Sequence, residues 1–193
     1  MKKIIIFITI IYSFIGNVCF SKEILPIVEG NINAKIKLII YESMTCSHCA
    51  DFHTNVYPKL KEEFIDTGYI SLEFRNFPLD LAALNASKLA HCKNDGKSKI
   101  LHFLFNSQND WVRGKNILDI NNNLKDLINE QKFGLNFESC LNNKGIEDFI
   151  LEERIDGHKE FDIKATPTLI INDKKFDKTL NFKNIKKRLK KMI

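Results

Sequence analysis

The feature that most constrains the fold of this chain is the pair Cys46-Ser47-His48-Cys49, placed just after the apolar run Ile36-Lys37-Leu38-Ile39-Ile40-Tyr41. That run is rich in β-branched residues and short enough to be a buried strand. Beyond the cysteines, Phe52, Val56, Leu60 and Phe64 recur every four residues, which predicts a helix from about Ser47 to Ile65, kinked at Pro58. Thr67-Gly68 ends that helix, and Tyr69 to Asn76 alternates as a second strand would. The pair therefore sits where a strand passes into a helix, inside a β-α-β unit.

A helix start is a place where unpaired backbone N–H groups and the helix dipole favour an anion. Thiol–disulfide exchange needs an exposed thiol that ionises near neutral pH, because the thiolate is the attacking species. Such settings lower a cysteine pKa to roughly 3.5–7.5. Cys46 is thus the candidate nucleophile, and His48 is placed to offer it a hydrogen bond or a positive charge. Cys49, one turn into the helix, is the candidate resolving sulfur. A stabilised Cys46 thiolate is also a good leaving group, which makes the disulfide a strong oxidant and sets the expected direction as donation of disulfides. His53 falls four residues beyond Cys49 on the same helix face. His91, His102 and His158 belong to no evident constellation and are read as ordinary.

From Leu79 to about Glu153 the signals are helical: Leu81 to Cys92, Lys99 to Phe105, Ile117 to Ile128 and Ile146 to Ile155, separated by clusters such as Asn94-Asp95-Gly96 and Asn142 to Gly145. Then come Thr168 to Ile171, the turn Asn172-Asp173-Lys174, and Lys175-Phe176, a hairpin pattern. Phe182, Ile185, Leu189 and Met192 recur at helical spacing among Lys183 to Lys191, predicting a closing amphipathic helix with a solvated basic face; a surface for anionic membrane or partner proteins is the alternative. No repeat, P-loop or dinucleotide fingerprint is present.

The chain opens with Met1-Lys2-Lys3 and an apolar run from Ile4 to Ile15, with small residues at Cys19 and Ser21. Residues 1–21 read as a secretory signal peptide, and the expected destination is a bacterial periplasm. An uncleaved anchor is the alternative, although the run is shorter than the roughly 20 residues that a spanning helix needs. The net charge of +5, two units of it from Lys2 and Lys3, is too mild to suggest nucleic acid. Of five cysteines, Cys46, Cys49, Cys92 and Cys140 follow the leader. In an oxidising compartment the natural pairing is Cys46 with Cys49 and Cys92 with Cys140, the second as a structural bridge; two free buried thiols are the alternative.

A cysteine pair between strand and helix, followed more than a hundred residues later by Ala165-Thr166-Pro167-Thr168 ahead of a strand, resembles the thioredoxin superfamily. The helical block between the two motifs narrows the resemblance to the DsbA-type thiol:disulfide interchange family. The resemblance implies an α/β, thioredoxin-like fold with an inserted helical domain: residues 22–78 and 154–193 as the thioredoxin-like part, and 79–153 as the insertion. It implies a cis Thr166–Pro167 bond in a loop that faces the cysteines and offers strand-like hydrogen bonds to a substrate. It implies no cofactor beyond the redox-active Cys46–Cys49 disulfide, reduced or unfolded exported polypeptides as partners, and reoxidation by a membrane quinone-linked partner.

Two departures stand out. Where many relatives carry a buried acid six residues before the first cysteine, this chain has Ile40, with Glu42 two residues on; and Ser47-His48 replaces the more usual Pro-His. Two other readings compete. A monomeric disulfide isomerase or reductase would use the same sulfurs. A metal-binding module would hold zinc or copper with Cys46, Cys49 and one or both of His48 and His53, but structural zinc usually takes four ligands, often as two close pairs.

Overall fold

The computed structural model describes residues 23–193, so the expected signal peptide over residues 1–21 lies outside the described residues. The run at Ile36 forms β2 (Ile36–Glu42), and the alternating run forms β3 (Ile70–Asn76), parallel to it from Ile36 opposite Ile70 to Glu42 opposite Asn76. β4 (Thr168–Ile171) pairs antiparallel with β2, and its turn into β5 (Lys174–Lys175) places Asn172 and Asp173 at positive φ, as a tight hairpin requires. A short β1 (Ile27–Gly30), not foreseen in the sequence, adds antiparallel to β3 and gives the order β1-β3-β2-β4-β5. This topology brings the end of β2 and the start of β4 to the same edge of the sheet.

Side chains alternate across β2. Leu38 and Ile40 pack with Phe52, Leu60, Ile185 and Leu189 on one face, while Tyr41 packs with Phe161, Ile163 and Ile170 on the other. The first face is covered by a helical run of α1 (Ser47–Asp51), a π-helical turn (Phe52–Val56), α2 (Tyr57–Leu60) and a second π-helical turn (Lys61–Ile65). The run matches the predicted span, and the π turn supplies the reason for its irregularity. Pro58 has no N–H to give, and the chain widens ahead of it so that Tyr57 N–H reaches back to Phe52 O.

The predicted helical block consists of α3 (Leu81–His91), α4 (Lys99–Asn106), α5 (Gln108–Trp111), α6 (Ile117–Glu130), α7 (Phe137–Leu141) and α8 (Lys144–Phe161). The Asn-rich clusters that read as breakers also supply caps: Asn116, Asn136 and Asn143 each accept backbone N–H bonds at a helix start. α8 outruns its sequence signal and passes through Glu153 without interruption. Trp111 is fully buried and donates from Nε1 to Leu104 O at 2.9 Å. Cys92, capping α3, and Cys140, in α7, form a disulfide. Beside it Lys88 pairs with Glu147 and donates to Leu141 O at 2.8 Å. α9 (Phe182–Leu189), capped by Asn181, buries Ile185 and Leu189. Among the described residues, no helix is long and apolar enough to cross a membrane.

Candidate active site

β2 ends at Glu42, and the chain turns through Ser43 to Cys46 before α1 begins. Cys46 is the extended N-cap of that helix (φ −79°, ψ 117°). The turn is held from outside its own segment. Phe77 N–H donates to Glu42 O at 2.7 Å, and Thr45 Oγ1 donates to Asp80 Oδ2 at 2.8 Å. The buried Gln108 amide donates to Met44 O at 2.8 Å and to Cys46 O at 3.1 Å. The helical block thus positions the cysteine loop as well as covering it.

The two sulfurs have opposite surroundings. Cys46 is half-buried, and its pKa is lowered from 9.0 to about 5 by the Cys49 thiol, which donates to it, with help from Thr166 and from the backbone N–H groups of Cys49 and His48 against a smaller cost of burial. Cys49 is fully buried; burial first, and then its donation to Cys46, pushes its thiol far up. One sulfur is therefore an accessible thiolate at neutral pH, and the other stays protonated. The His48 ring is exposed, and what it brings to the sulfur here is its backbone N–H.

The Thr166–Pro167 bond is cis, and Thr166 O accepts the Cys46 thiol at 3.3 Å. Thr168 Oγ1 donates to Ala165 O at 2.7 Å, tightening the loop before β4. Thr166 Oγ1 is buried without a partner, and so is Glu42 Oε1. Buried polar groups are normally paired, so these two stand out among the buried side chains. The Thr166 hydroxyl is the donor available to Cys46 once that sulfur ionises.

A cysteine pair at a helix start, facing a cis-proline loop across a mixed sheet, points to one kinship, and residues 22–191 match the family model described as Thioredoxin. The chain belongs to the thioredoxin superfamily. Within that superfamily it is of the DsbA type. The crystal structure of Wolbachia pipientis alpha-DsbA1 superposes with a TM-score of 0.74 at 30% identity, covering 89% of this chain and 92% of that one. Disulfide bond formation protein D of Bacillus subtilis is 25% identical over 176 residues, 86% of this chain and 76% of its own. A Rickettsia bellii protein, provisionally named a protein-disulfide oxidoreductase, is 29% identical over 162 residues; the match covers 80% of this chain and 60% of that relative's length.

The thioredoxin-type arrangement brings Cys46, Cys49, Thr166 and Pro167 together and leaves Cys92 and Cys140 to their own bridge in the helical block. Sequence reasoning missed Gln108, Asp80 and the partners of His53. His53 Nε2 lies 2.8 Å from Glu42 Oε2, and its Nδ1 lies 2.9 Å from Nδ1 of His102. The reading of His102 as ordinary is therefore corrected. Among the described residues, no group of three or more His, Cys, Asp or Glu side chains is arranged to hold a metal ion.

Proposed function

We propose that this chain is a protein-disulfide oxidoreductase that donates disulfides to exported polypeptides through Cys46 and Cys49, with no cofactor beyond that pair. The observation that carries the reading is the asymmetry of the two sulfurs: an accessible, acidified Cys46 against a buried, protonated Cys49. In the oxidised enzyme a substrate thiolate attacks Cys46 Sγ, the Cys46–Cys49 bond breaks, and the electron pair leaves on Cys49, which takes up a proton. A second substrate thiolate then attacks the sulfur joined to Cys46. The substrate disulfide closes, and Cys46 departs as a thiolate that its surroundings already stabilise.

In this reading Thr166 and Pro167 present the loop that aligns the substrate strand, and the backbone N–H of His48 supports the Cys46 anion. Cys92–Cys140 staples an inserted helical part, residues 79–153, between the two thioredoxin-like segments, 22–78 and 154–193. In the same reading the N-terminal pattern of residues 1–21 supports export to a periplasm, and the DsbA-type kinship supports reoxidation by a membrane quinone-linked partner. The test is to mix the oxidised protein with a reduced, unfolded polypeptide and count thiols on both by alkylation. Loss of substrate thiols matched by two new thiols at Cys46 and Cys49 supports the reading. Substrate oxidation that persists in a Cys46→Ser variant would sink it.

A further inference from the structure

The closing basic helix is a sequence feature that the redox chemistry leaves unused. α9 buries Ile185 and Leu189 and leaves Lys183, Lys187 and Arg188 exposed. Lys186 pairs with Glu63, whereas Lys187, Arg188 and Lys191 line a hollow shared with the β4–β5 hairpin. There they meet Lys174, Lys175 and Lys178 across about 350 Å³ of open volume, and Asp177 is the only carboxylate in the lining. All six cations are exposed, and among the described residues none of them forms an ion pair. Ordinary roles account for part of this set. Lysines on an exposed edge strand such as β5 discourage pairing with another sheet, and cations at a helix C-terminus suit its dipole. Neither role requires two elements to bring their cations to one hollow, where they repel one another with no counter-charge beyond Asp177. An anion placed there relieves that repulsion and meets donors from both walls.

The kind of anion follows from what lies beside the hollow. Tyr69 is 50% exposed and Ile193 60% exposed, and both line the cleft next to it together with Ile36 and Met192. Gly30 pairs with Ser71 and Ile36 with Ile70, so the turn that holds Ile32, 64% exposed, lies at the same end of the sheet as Tyr69. The β4–β5 turn is at this end too, because Asn172 Oδ1 accepts from Lys37 N–H at 2.7 Å. Apolar side chains standing in water next to a cluster of cations match the boundary of an anionic bilayer, where phosphates lie just outside the acyl chains. A soluble acidic protein or a free phosphate would satisfy the cations and leave the apolar side chains in water.

We propose that this end of the molecule docks on the anionic phospholipid surface of a membrane. Lipid phosphates enter the hollow between α9 and the hairpin, and Ile32, Tyr69 and Ile193 reach the boundary between headgroups and acyl chains. The cysteine pair is then turned away from the bilayer. β2 runs seven residues from Ile36 at the docking end to Glu42 at the cysteine turn, a separation of about 20 Å. Cys46 thus stays open to polypeptides while the chain is held at the membrane. Docking of this kind is independent of the direction in which Cys46 and Cys49 exchange disulfides.

The test is sedimentation of the protein, as purified after export, with vesicles of phosphatidylcholine alone or mixed with phosphatidylglycerol. Neutral vesicles also register any insertion of residues 1–21, which the docking does not invoke. Binding should be about tenfold or more tighter to the anionic vesicles and should weaken as salt is raised. Lys187→Gln, Arg188→Gln and Lys191→Gln together should weaken it about a hundred-fold, about a factor of five for each cation at a charged surface. Tyr69→Ser with Ile193→Ser should weaken it about tenfold and leave the salt dependence in place. Lys93→Gln, Lys97→Gln and Lys115→Gln, three exposed cations of the helical block, make the same change in net charge and should leave binding unaltered. Glutathione exchange at Cys46 should be unchanged in every variant, which verifies the fold and separates loss of docking from loss of the redox pair. Equal binding to neutral vesicles, an equal loss in both triple variants, or no effect of the Tyr69 and Ile193 substitutions would overturn membrane docking. So would binding of polyglutamate or inorganic pyrophosphate without affinity for vesicles, which would assign the hollow to an acidic protein or to a free phosphate.

Discussion

Opposite chemistry at two sulfurs separated by two residues comes from which groups each one meets. Cys46 collects donors that favour its anion, and Thr166 is the one whose hydroxyl has no other use. Thr166→Val should therefore raise the Cys46 pKa by about one unit, the worth of one hydrogen bond to a charged group. The pH dependence of thiolate absorbance reads this directly, and an unchanged titration would exclude the hydroxyl as a donor. The same acidity has a sign in stability. A Cys46 pKa lowered from 9.0 to about 5 in the folded dithiol gives that form stability that is fully present above the unfolded value and lost as pH falls through the folded one. The disulfide form has no such group. The melting temperature of the reduced protein relative to the oxidised one should thus fall between pH 9 and 5 and level off below; a gap independent of pH would contradict the assignment.

At the scale of elements, the helix of the cysteine motif and the strands β2 to β4 were legible because their periodicity and the motif agree. β1 was not, since four residues between Pro26 and Asn31 hold too little alternation to stand out. α5 and α7 are similarly short, and Gln108 looks like any polar loop residue until its amide is seen against the cysteine turn. Glu42 was visible as an acid near the motif, but only tertiary structure could join it to His53, and His53 to His102 from another segment. α8 runs past the expected end at Ile155 and carries Gly157 against the sheet. A Cβ there would lie 2.5 Å from the Tyr41 ring, whose hydroxyl is fixed by Arg75 at 2.9 Å. Gly157→Ala should therefore cost about 1–3 kcal/mol as an overpacked helix–sheet contact, read by denaturant unfolding. An unchanged midpoint would mean that the helix shifts freely.

Across the whole molecule, the helical block and the sheet carry different loads. The Cys92–Cys140 bridge closes a loop of 48-residue separation and joins the end of α3 to α7 within the block. Its removal by paired serine substitutions should lower stability by about 2–4 kcal/mol, in line with chain-entropy expectations for such a loop, and leave the Cys46 titration in place. A changed Cys46 pKa would show that the block transmits the bridge to the site through Gln108 and Asp80. In the proposed function, the surroundings of Cys46 make this pair a disulfide donor. That claim is tested most directly by equilibrating the Cys46–Cys49 couple with glutathione buffers and reading the reduced fraction by alkylation. A potential well above that of the glutathione pool, with the dithiol favoured, is the expected result; one near that of thioredoxin would contradict the account and make the chain a reductase.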